Sequence, residues 1–386
     1  MDTVRKDNEY IANTYSRFPL TLTRGRGSLL YDENGNEYID LGTGIAVNGF
    51  GVADSVWAGA VTMQANTLPH VSNLYYSAPC AELAELLCRK TGMKKVFFSN
   101  SGAEANECAI KAARKYAENK GLTGAKIITL KNSFHGRTLA TLAATGQDTF
   151  HKDYLPMPEG FVYADPDSVE ALESAVAEGN IAAIMLEVVQ GEGGVVPLKP
   201  EFAAKAAALV AENDVLLICD EVQIGNGRSG ALYGYMNYGL KPDVVTTAKG
   251  LGGGLPIGAT LLGEKVAGVF TPGSHGSTFG GNPVCCAGAI SIIKRIDEPL
   301  LEGVRKRSAF IISALEGAKG VVSVSGMGLM LGVETVRPAS DVIADCMAEG
   351  VLVIKAKNKV RLLPALNIPF DLLERAVAIL KEVCAK

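Results

Sequence analysis

Short apolar runs alternate with longer Ala-rich stretches between about residues 95 and 270. Each run has the length of a buried strand, whereas the longer stretches repeat apolar residues at the three- and four-residue spacing of an amphipathic helix. The predicted strands are Val96–Ser99, Lys126–Leu130, Ala182–Leu186, Val215–Cys219 and Val244–Ala248, and the clearest helices are Ser101–Ala117 and Pro200–Asn213. This alternation is typical of a mainly parallel sheet covered by helices on both faces.

The two ends of the chain have a different pattern. Near the start, YDENGNEYIDL predicts two short strands joined by an Asn-Gly turn, and the tail from residue 287 predicts two amphipathic helices with short strands between them. A chain of 386 residues has the length of two domains. We therefore expect an α/β protein, with a large domain over residues 51–286 and a small α+β domain built from residues 1–50 and 287–386.

Composition narrows the class of partner. The formal net charge is −4, so no broad basic surface exists to hold nucleic acid or an anionic membrane. The eight cysteines form no C-x-x-C pair, no Cys/His cluster suggests a metal, and no apolar run approaches the roughly 18 residues of a membrane span. The opening segment MDTVRKDNEY lacks the apolar core of a secretory signal. We expect a cytoplasmic protein with reduced thiols.

The segment SNSGAEANE combines the end of a strand with the start of a helix. Ser101 and Glu104 have the spacing of a capping box, and Gly102 would allow a ligand to approach the backbone closely. The free N–H groups of such a helix start suit a phosphate. From this motif alone, an ordinary capped helix after a tight turn is the favoured interpretation.

Two later strands end in side chains that can carry chemistry. Asp220 and Glu221 follow the apolar run VLLIC, at the carboxyl end of a predicted interior strand, where open α/β sheets bind ligands. Lys249 ends the next strand, beside a run of glycines. Partial desolvation there would favour the neutral amine, which can attack a carbonyl and form a Schiff base. The simpler alternatives are a turn-capping Asp220 and a solvated Lys249.

Three further stretches each join a ligand-type side chain to glycines. They are FHGRT (Phe134, His135, Arg137), EVVQGEGG (Glu187, Gln190, Glu192) and HGSTFGGNP (Ser277, Thr278). A lone His135 is more often a packing residue than a catalyst. Arg137 can be a surface ion pair, or it can present a bidentate fork to a carboxylate.

Together these signals describe a site for pyridoxal phosphate acting on a carboxylated amine. From about Arg17 to Ile368 the chain resembles the class III aminotransferases, a group within the fold-type I pyridoxal-phosphate enzymes. The resemblance is carried in order by the motifs GIAVN, SNSGAEANE, FHGRT, QGEGG, DEVQ, AKG, HGSTFGGNP and RLLPALNI. It implies the fold of those enzymes, a large domain with a mainly parallel sheet and a small α+β domain from both chain ends.

The resemblance also assigns residues to pyridoxal 5'-phosphate. Lys249 would hold the cofactor covalently and then move a proton between it and the substrate carbon, and Asp220 would face the pyridine nitrogen. The other implied contacts are Gln223 to the phenolic oxygen, Phe134 to the ring face, Gly102 and Ala103 to the phosphate, and Thr278 to the phosphate of the neighbouring subunit. The active form would therefore be at least a homodimer.

Substrate contacts follow from the same resemblance. Arg137, with Ser277 nearby, would hold the carboxylate distant from the reacting amine, and Arg361 would bind the α-carboxylate of glutamate. Glu192 would pair with Arg361 when an ω-amine donor enters and leave it when glutamate enters. We expect N2-acetylornithine and 2-oxoglutarate as substrates, with N-acetylglutamate 5-semialdehyde and glutamate as products, in arginine biosynthesis.

The sequence leaves several alternatives open. The same motifs suit transaminases of ornithine, succinylornithine or 4-aminobutyrate, and glutamate-1-semialdehyde aminomutase shares the fold and the lysine. A nicotinamide-dependent dehydrogenase would need a G-x-G-x-x-G at the first strand, which is missing, and a purely binding protein would not need these residues together. After GIAVN the family usually continues Gly-His-x-His-Pro, whereas this chain has Gly51-Val52-Ala53-Asp54-Ser55, and Val188 and Ala365 replace prolines. The first departure puts substrate preference in question more than reaction type.

Overall fold

The computed structural model describes residues 2–386. The helices are α1 (Asp2–Tyr10), α2 (Thr43–Ala46), α3 (Ser55–Thr67), α4 (Ala78–Thr91), α5 (Gly102–Asn119), α6 (Leu139–Ala144), α7 (Val169–Ala177), α8 (Pro200–Asn213), α9 (Pro283–Ile293), α10 (Glu298–Leu315), α11 (Ala339–Ala348) and α12 (Phe370–Ala385). Short 3₁₀ turns cover Asp148–Phe150, Gly234–Tyr238 and Lys249–Leu251.

The strands are β1 (Leu22–Arg26), β2 (Leu29–Asp32), β3 (Glu37–Asp40), β4 (Lys95–Ser99), β5 (Lys126–Leu130), β6 (Phe161–Ala164), β7 (Ile181–Leu186), β8 (Val189–Gln190), β9 (Val196–Pro197), β10 (Leu216–Asp220), β11 (Val244–Thr247), β12 (Gly258–Leu262), β13 (Val321–Met327), β14 (Met330–Thr335), β15 (Val351–Leu352), β16 (Ile354–Ala356) and β17 (Lys359–Leu362). They form a seven-stranded sheet, two four-stranded sheets and the β8–β9 pair. The five strands predicted in the central region all lie in the largest sheet, within one residue of their predicted bounds.

The large sheet has the order β4-β12-β11-β10-β7-β5-β6 and confirms the predicted α/β class. The run β11-β10-β7-β5-β6 is parallel, and only β12 runs against its two neighbours. The pattern of the sequence did not predict β12. Only ten residues connect β11 to β12, fewer than a parallel crossover usually needs, so the chain returns antiparallel.

The direction of the strands decides where the chemistry-bearing residues meet. Strands β4, β10 and β11 all point the same way in the sheet, because β12 is antiparallel to both β4 and β11. Their carboxyl ends therefore lie along one edge. Ser99, Asp220 and Thr247 end these strands, so the segments that follow them are brought together there.

Hydrophobic cores fill both faces of the large sheet. On one face, α5 packs part of its predicted apolar stripe, namely Ala109, Ala112 and Ala113, against buried strand residues. On the other face, α4, α8 and α9 contribute fully buried side chains such as Leu83 and Phe202. Within residues 2–386, no helix is both long enough and apolar enough to cross a membrane.

Both ends of the chain meet in the smaller sheets. Strands β2 and β3 form the predicted hairpin, and Gly35 of its Asn-Gly turn has φ +86°. Strand β3 also pairs in parallel with β15, which places N-terminal and C-terminal residues in one sheet. The tail contains α10, α11 and α12, so the prediction of two helices there was wrong. The ten residues of α11, placed between Pro338 and Gly350, are too few to give a long periodic signal.

A buried arginine links the segment after β10 to the C-terminal part of the chain. Arg228 is 2% exposed, and its Nη1 donates to the carbonyl oxygens of Leu329 and Pro364, each at 2.9 Å. Burial lowers the pKa of Arg228 to about 9, although the charge of Asp40 opposes this.

The division of the chain into domains at residues 50 and 286 stays a prediction, and α9 runs across the second of these positions.

Candidate active site

A cavity of about 490 Å³ lies at the carboxyl edge of the large sheet. It brings together residues from segments that are far apart along the chain. The residues that line it are Val47, Asn100, Ser101, Gly102, Ala103, Asn106, Phe134, His135, Gly136, Arg137, Glu187, Asp220, Val222, Gln223, Ala248, Lys249, Gly254, Leu255, Pro256 and Ile257. The predicted residues Gly102, Ala103, Phe134, Arg137, Asp220, Gln223 and Lys249 are all among them.

The start of α5 forms one wall of this cavity. Ser101 is the N-cap, and its Oγ accepts a hydrogen bond from the Glu104 N–H at 3.2 Å. The Glu104 carboxylate instead accepts from the backbone N–H of Asn100, one residue before the cap. The first N–H groups of a helix have no intrahelical partner. Gly102 and Ala103 supply two of these groups in α5, and both residues line the cavity. A Cβ on Gly102 would lie 2.6 Å from Val222 Cγ1, so only glycine leaves this space open.

Asp220 is held by three donors at the end of β10. Its Oδ2 accepts from Asn106 Nδ2 at 2.7 Å and lies 2.8 Å from His135 Nδ1, and its Oδ1 accepts from the Val222 N–H at 3.0 Å. The carboxylate is 4% exposed. His135 Nε2 is buried and has no hydrogen-bond partner among the described residues. This arrangement fixes a buried acceptor that faces the cavity from the end of an interior strand.

Two other buried acids flank Asp220 and differ in orientation. Glu187 lines the cavity and accepts from the N–H groups of Phe134 and Gly191, and burial together with the Asp220 charge raises its pKa to about 7. Glu221 points the other way, towards the N–H groups that open the 3₁₀ turn at Gly234. Burial raises the pKa of Glu221 to about 8. Only the first of these acids can contact a ligand in the cavity.

Lys249 opens the 3₁₀ turn directly after β11, and its side chain lines the cavity. Its φ is +44°, a left-handed conformation that is costly for a residue with a side chain. Burial lowers the pKa of the amine, and the opposing carboxylates of Glu192 and Asp220 restore only part of that loss. A larger neutral fraction makes the amine a better nucleophile.

Phe134 and Arg137 lie at the mouth of the cavity. The guanidinium of Arg137 is 5.6 Å from the centre of the Phe134 ring and 4.2 Å from that of Phe150. The two rings meet edge to face at 6.0 Å. Arg137 is exposed, and no salt bridge to it is present among residues 2–386. The aromatic rings therefore orient a cation that stays available to an anionic ligand.

Glu192, Gln223 and Arg361 form a charged cluster beside the cavity. Arg361 Nη1 donates to Glu192 Oε1 at 2.5 Å and to Gln223 Oε1 at 2.8 Å, and Gln223 Nε2 donates to Glu192 at 3.3 Å. Burial alone would raise the pKa of Glu192, but the adjacent Arg361 lowers it below its ordinary value. Arg361 is 3% exposed, and its Nε has no partner among the described residues. The pairing inferred from the sequence is thus present in the fold.

Ser277 and Thr278 occupy a different place. Ser277 Oγ accepts from Asn100 Nδ2 at 3.1 Å, which puts it next to the residue that precedes the α5 cap. Thr278 is exposed and does not line the cavity of its own chain. The structure therefore brings Ser277 close to the site and leaves Thr278 outside it.

Several lining or flanking residues were not selected from the sequence, among them Val222, Asn106 and Phe150. Val222 packs against Gly102 and stands between two selected residues, Asp220 and Gln223, so its position alone could have indicated it. Asn106 is a single amide on an Ala-rich helix face, which is a signal for a buried polar contact. Phe150 had no local signal, because its contact with Arg137 depends on how residues 138–150 fold back.

The residues in the cavity suit pyridoxal phosphate. The helix start with Gly102 can hold the phosphate, the fixed carboxylate of Asp220 can face the pyridine nitrogen, and the amine of Lys249 can reach the aldehyde. Phe134 and Val222 line the same cavity and supply apolar surface for the ring. A phosphate-binding helix start, a buried acceptor and a desolvated amine in one cavity are the three polar features that this cofactor needs.

Comparison with known proteins agrees with this chemistry. The family model described as aminotransferase class-III matches residues 10–384. The acetylornithine aminotransferase of Haemophilus ducreyi is 48% identical over 98% of both chains, and that of Caldanaerobacter subterraneus is 44% identical over 98% of both.

Solved structures show the same likeness. The N-acetylornithine aminotransferase of Stenotrophomonas maltophilia has a TM-score of 0.86 at 35% identity and covers 99% of this chain and 98% of its own. The ornithine aminotransferase of Toxoplasma gondii has a TM-score of 0.95 at 30% identity, over 99% of this chain and 94% of its own. The structural likeness extends over nearly the whole chain in both cases. The chain belongs to the class-III aminotransferases and is a pyridoxal-phosphate-dependent transaminase of fold-type I.

Proposed function

We propose that this enzyme transfers the δ-amino group of N2-acetylornithine to 2-oxoglutarate, giving N-acetylglutamate 5-semialdehyde and glutamate. The reaction would serve arginine biosynthesis in the cytoplasm. Curated relatives at 42–48% identity carry the name acetylornithine aminotransferase, which supports this donor. The second candidate donor is free ornithine, because a solved ornithine aminotransferase superposes with a TM-score of 0.95.

The observation that carries the proposal is the unequal state of two arginines. Arg137 is exposed at the cavity mouth, whereas Arg361 is buried and neutralised by Glu192. N2-acetylornithine has one carboxylate, distant from its reacting amine, and Arg137 can hold it. Glutamate and 2-oxoglutarate have a second carboxylate beside the reacting carbon, which needs a second cation. Arg361 becomes that cation when Glu192 moves away, and its unpartnered Nε offers a second donor for a bidentate grip.

The residues of the chain divide the catalytic work. When bound, pyridoxal phosphate supplies an aldehyde that condenses with amines and a ring that accepts the electrons of the broken C–H bond. Lys249 would hold the cofactor through Nζ. Once the substrate amine has replaced it there, the freed Lys249 amine would take the proton from the substrate carbon that bears the amine. Asp220 would face the ring nitrogen, and Asn106 and His135 hold its carboxylate in place. Gln223 would reach the phenolic oxygen, Phe134 would cover the ring, and Gly102 and Ala103 would bind the phosphate.

A homodimer completes the proposed site. Thr278 is exposed and lies outside its own cavity, so we assign it to the phosphate site of a second copy. Phe279, the next residue in the chain, is 58% exposed. In the segment of residues 73–76, Tyr76 is fully exposed and Leu74 is 86% exposed. Asn73 Nδ2 ties this segment to the Thr278 loop through two backbone carbonyls. Large exposed apolar side chains near a residue that lies outside its own cavity support a protein interface at this surface.

The test compares Lys249→Ala with Lys241→Ala, a change at an exposed lysine before β11. Lys249→Ala should lower turnover by at least about 100-fold and abolish the borohydride-sensitive yellow colour, because the amine both holds the cofactor and moves the proton. Lys241→Ala should match the parent. Multiple turnover by the Lys249 variant at the parent rate would contradict the assigned role.

Substrate choice is tested separately on the parent enzyme. Half-reaction rates are measured with N2-acetylornithine, N2-succinylornithine, ornithine and 4-aminobutyrate, and full turnover with and without 2-oxoglutarate. We expect the highest kcat/KM for N2-acetylornithine and complete dependence on the keto acid. A clear preference for free ornithine would reject the proposed donor, and turnover without 2-oxoglutarate would indicate an aminomutase.

A further inference from the structure

The segment that departs from the family pattern builds a charged anchor at the start of α3. Asp54 is the N-cap of this helix, and its Oδ1 accepts from the Trp57 N–H at 2.9 Å. The same carboxylate receives a bidentate fork from Arg295, with Nη1 to Oδ2 at 3.0 Å and Nη2 to Oδ1 at 2.8 Å. Arg295 also stacks on Phe50, 3.9 Å from the ring centre. The Asp54 carboxylate thus ties the first turn of α3 to Arg295, two residues beyond the end of α9.

The anchor holds Trp57 against the glycine turn that follows Lys249. The indole Nε1 donates to the carbonyl oxygen of Gly252 at 2.9 Å. A Cβ on Gly253 would lie 3.2 Å from Nε1, and one on Gly254 would lie 3.6 Å from Cζ2 of the same ring. On the α9 side, a Cβ on Gly288 would lie 2.9 Å from Nε1. The indole is therefore wedged between a helix and a turn that both present glycine to it.

The turn in contact with Trp57 is bonded directly to the backbone of Lys249. The N–H groups of Gly252 and Gly253 both donate to the Lys249 carbonyl, at 3.0 and 3.3 Å. The peptide unit between Gly252 and Gly253 therefore makes both contacts, since its carbonyl accepts from the indole and its N–H donates to the Lys249 carbonyl. Lys249 has φ +44°, a costly conformation that its surroundings must maintain. Gly254, at the far end of the same turn, lines the cavity.

We propose that Trp57 is a positioning residue for the Lys249 amine, and that the Asp54–Arg295 pair holds the indole in place. Trp57 closes the Gly252–Gly254 turn against the Lys249 backbone and so directs Nζ into the cavity. This inference rests on the proposed function for its kinetic consequence, but the position of the amine can be measured without any turnover. It assigns a task to the segment in which this chain differs from the usual Gly-His-x-His-Pro.

Two variants disturb the packing of the Trp57 indole, called the wedge below, from different sides. A third variant serves as the matched control. Trp57→Phe removes the indole N–H and keeps an aromatic ring. Gly288→Ala leaves Trp57 in the chain but places a methyl group 2.9 Å from its Nε1. The control is Gly59→Ala, two residues further along α3, where an added Cβ meets no atom within 4 Å.

The first measurement is steady-state kinetics of the holoenzyme. Both wedge variants should lower kcat by about 10- to 100-fold, with the KM for the amino donor within about twofold of the parent value, because a misdirected amine slows proton transfer without affecting the carboxylate grip. Gly59→Ala should match the parent in both constants.

The second measurement is the pKa of the Lys249 amine. Full-length protein is first stripped of pyridoxal phosphate with phenylhydrazine and gel filtration, so that the Lys249 amine is free. It is then trace-acetylated over a range of pH, and Lys249 acetylation is quantified by peptide mass spectrometry with Lys241 as internal reference. The charged groups around Lys249 are Glu192, Asp220, Glu187 and Arg361, and they are the same in every variant. A released turn lets water reach Nζ, so its pKa should rise by at least about half a unit in both wedge variants.

The outcomes separate this inference from the proposed function. If both wedge variants match Gly59→Ala in kcat and in the Lys249 titration, the positioning role is wrong, even if their melting temperatures fall. If the parent enzyme transaminates none of the proposed donors but the Lys249 titration still shifts, the proposed function fails and the positioning role stands. A loss in Trp57→Phe that Gly288→Ala does not reproduce would also overturn the wedge.

Discussion

Replacing Glu192 by Gln should turn the enzyme towards α-amino donors. The substitution keeps the size of the side chain but removes the carboxylate that lies 2.5 Å from Arg361 Nη1. Gln223 Oε1 and the Lys355 carbonyl remain as acceptors for Arg361, but neither carries a charge. The guanidinium then lies beside the cavity as an unneutralised cation in every half-reaction, and the α-carboxylate of glutamate becomes its preferred partner.

The size of the effect follows from the burial of Arg361. At 3% exposure its charge is poorly solvated, so a new hydrogen bond to a substrate carboxylate has the strength of a charged pair, about 1.5–3 kcal/mol. Because about 1.4 kcal/mol corresponds to a factor of ten, the ratio of kcat/KM for glutamate to that for N2-acetylornithine should increase roughly 10- to 150-fold. Most of the change should appear with glutamate, because Arg137 is untouched.

The assay measures single half-reactions of the holoenzyme with glutamate and with N2-acetylornithine. Glu201→Gln, at an exposed position in the first turn of α8, is the matched control and should leave the ratio unchanged. A Glu192→Gln enzyme with the parent ratio would refute the idea that this pair controls donor choice.

The same variant has a pH-dependent effect on stability. The pKa of Glu192 is lowered in the folded protein, so the pair stabilises the fold above the ordinary value near 4.5, and this contribution is lost as pH falls through the lowered value. The parent should exceed Glu192→Gln by on the order of 1–3 kcal/mol at pH 7, with the difference shrinking in acid. Urea unfolding across pH 3–7 measures it, and a difference independent of pH would contradict the pairing.

Three other substitutions give separate tests. Gly102→Ala places a Cβ 2.6 Å from Val222 and should weaken pyridoxal phosphate binding about tenfold or more, measured by equilibrium titration, whereas Gly268→Ala, with open space around it, should not. Arg137→Met should lower kcat/KM for N2-acetylornithine by about 10- to 150-fold without changing the cofactor's absorbance, because only the carboxylate grip is lost. Arg228→Met leaves two buried carbonyls unpaired and should lower the free energy of unfolding by about 2–6 kcal/mol in urea.

Controls exist for the two arginine variants. Arg114 stacks on Phe161 in the way that Arg137 stacks on Phe150, but it lies away from the cavity, so Arg114→Met should retain parent kinetics. Arg89 is an exposed arginine in a helical ion pair, and its replacement by Met should change stability by less than about 1 kcal/mol. An Arg137 variant with unchanged kcat/KM would show that another group holds the distal carboxylate.

The amino-acid sequence determined the elements of the large sheet and the identity of the reactive groups. Apolar runs and helical periodicity are local signals, so β5 and α8 have their predicted bounds. Asp220 ends β10 and Lys249 follows the end of β11. Both could be recognised from the sequence, because the carboxyl ends of parallel strands lie along one edge of the sheet, where ligands bind.

Tertiary structure alone decided the relations between distant segments. The antiparallel β12, the contact of Phe150 with Arg137 and the contact of Trp57 with Gly252 have no local signature, because each depends on how far-apart segments pack. The pairing of Glu192 with Arg361, 169 residues apart, was inferred from resemblance, and only the fold supplies its 2.5 Å geometry and its burial. Periodicity reports on neighbours along one element, whereas charge pairing, desolvation and steric wedging depend on distances in space that a linear pattern does not contain.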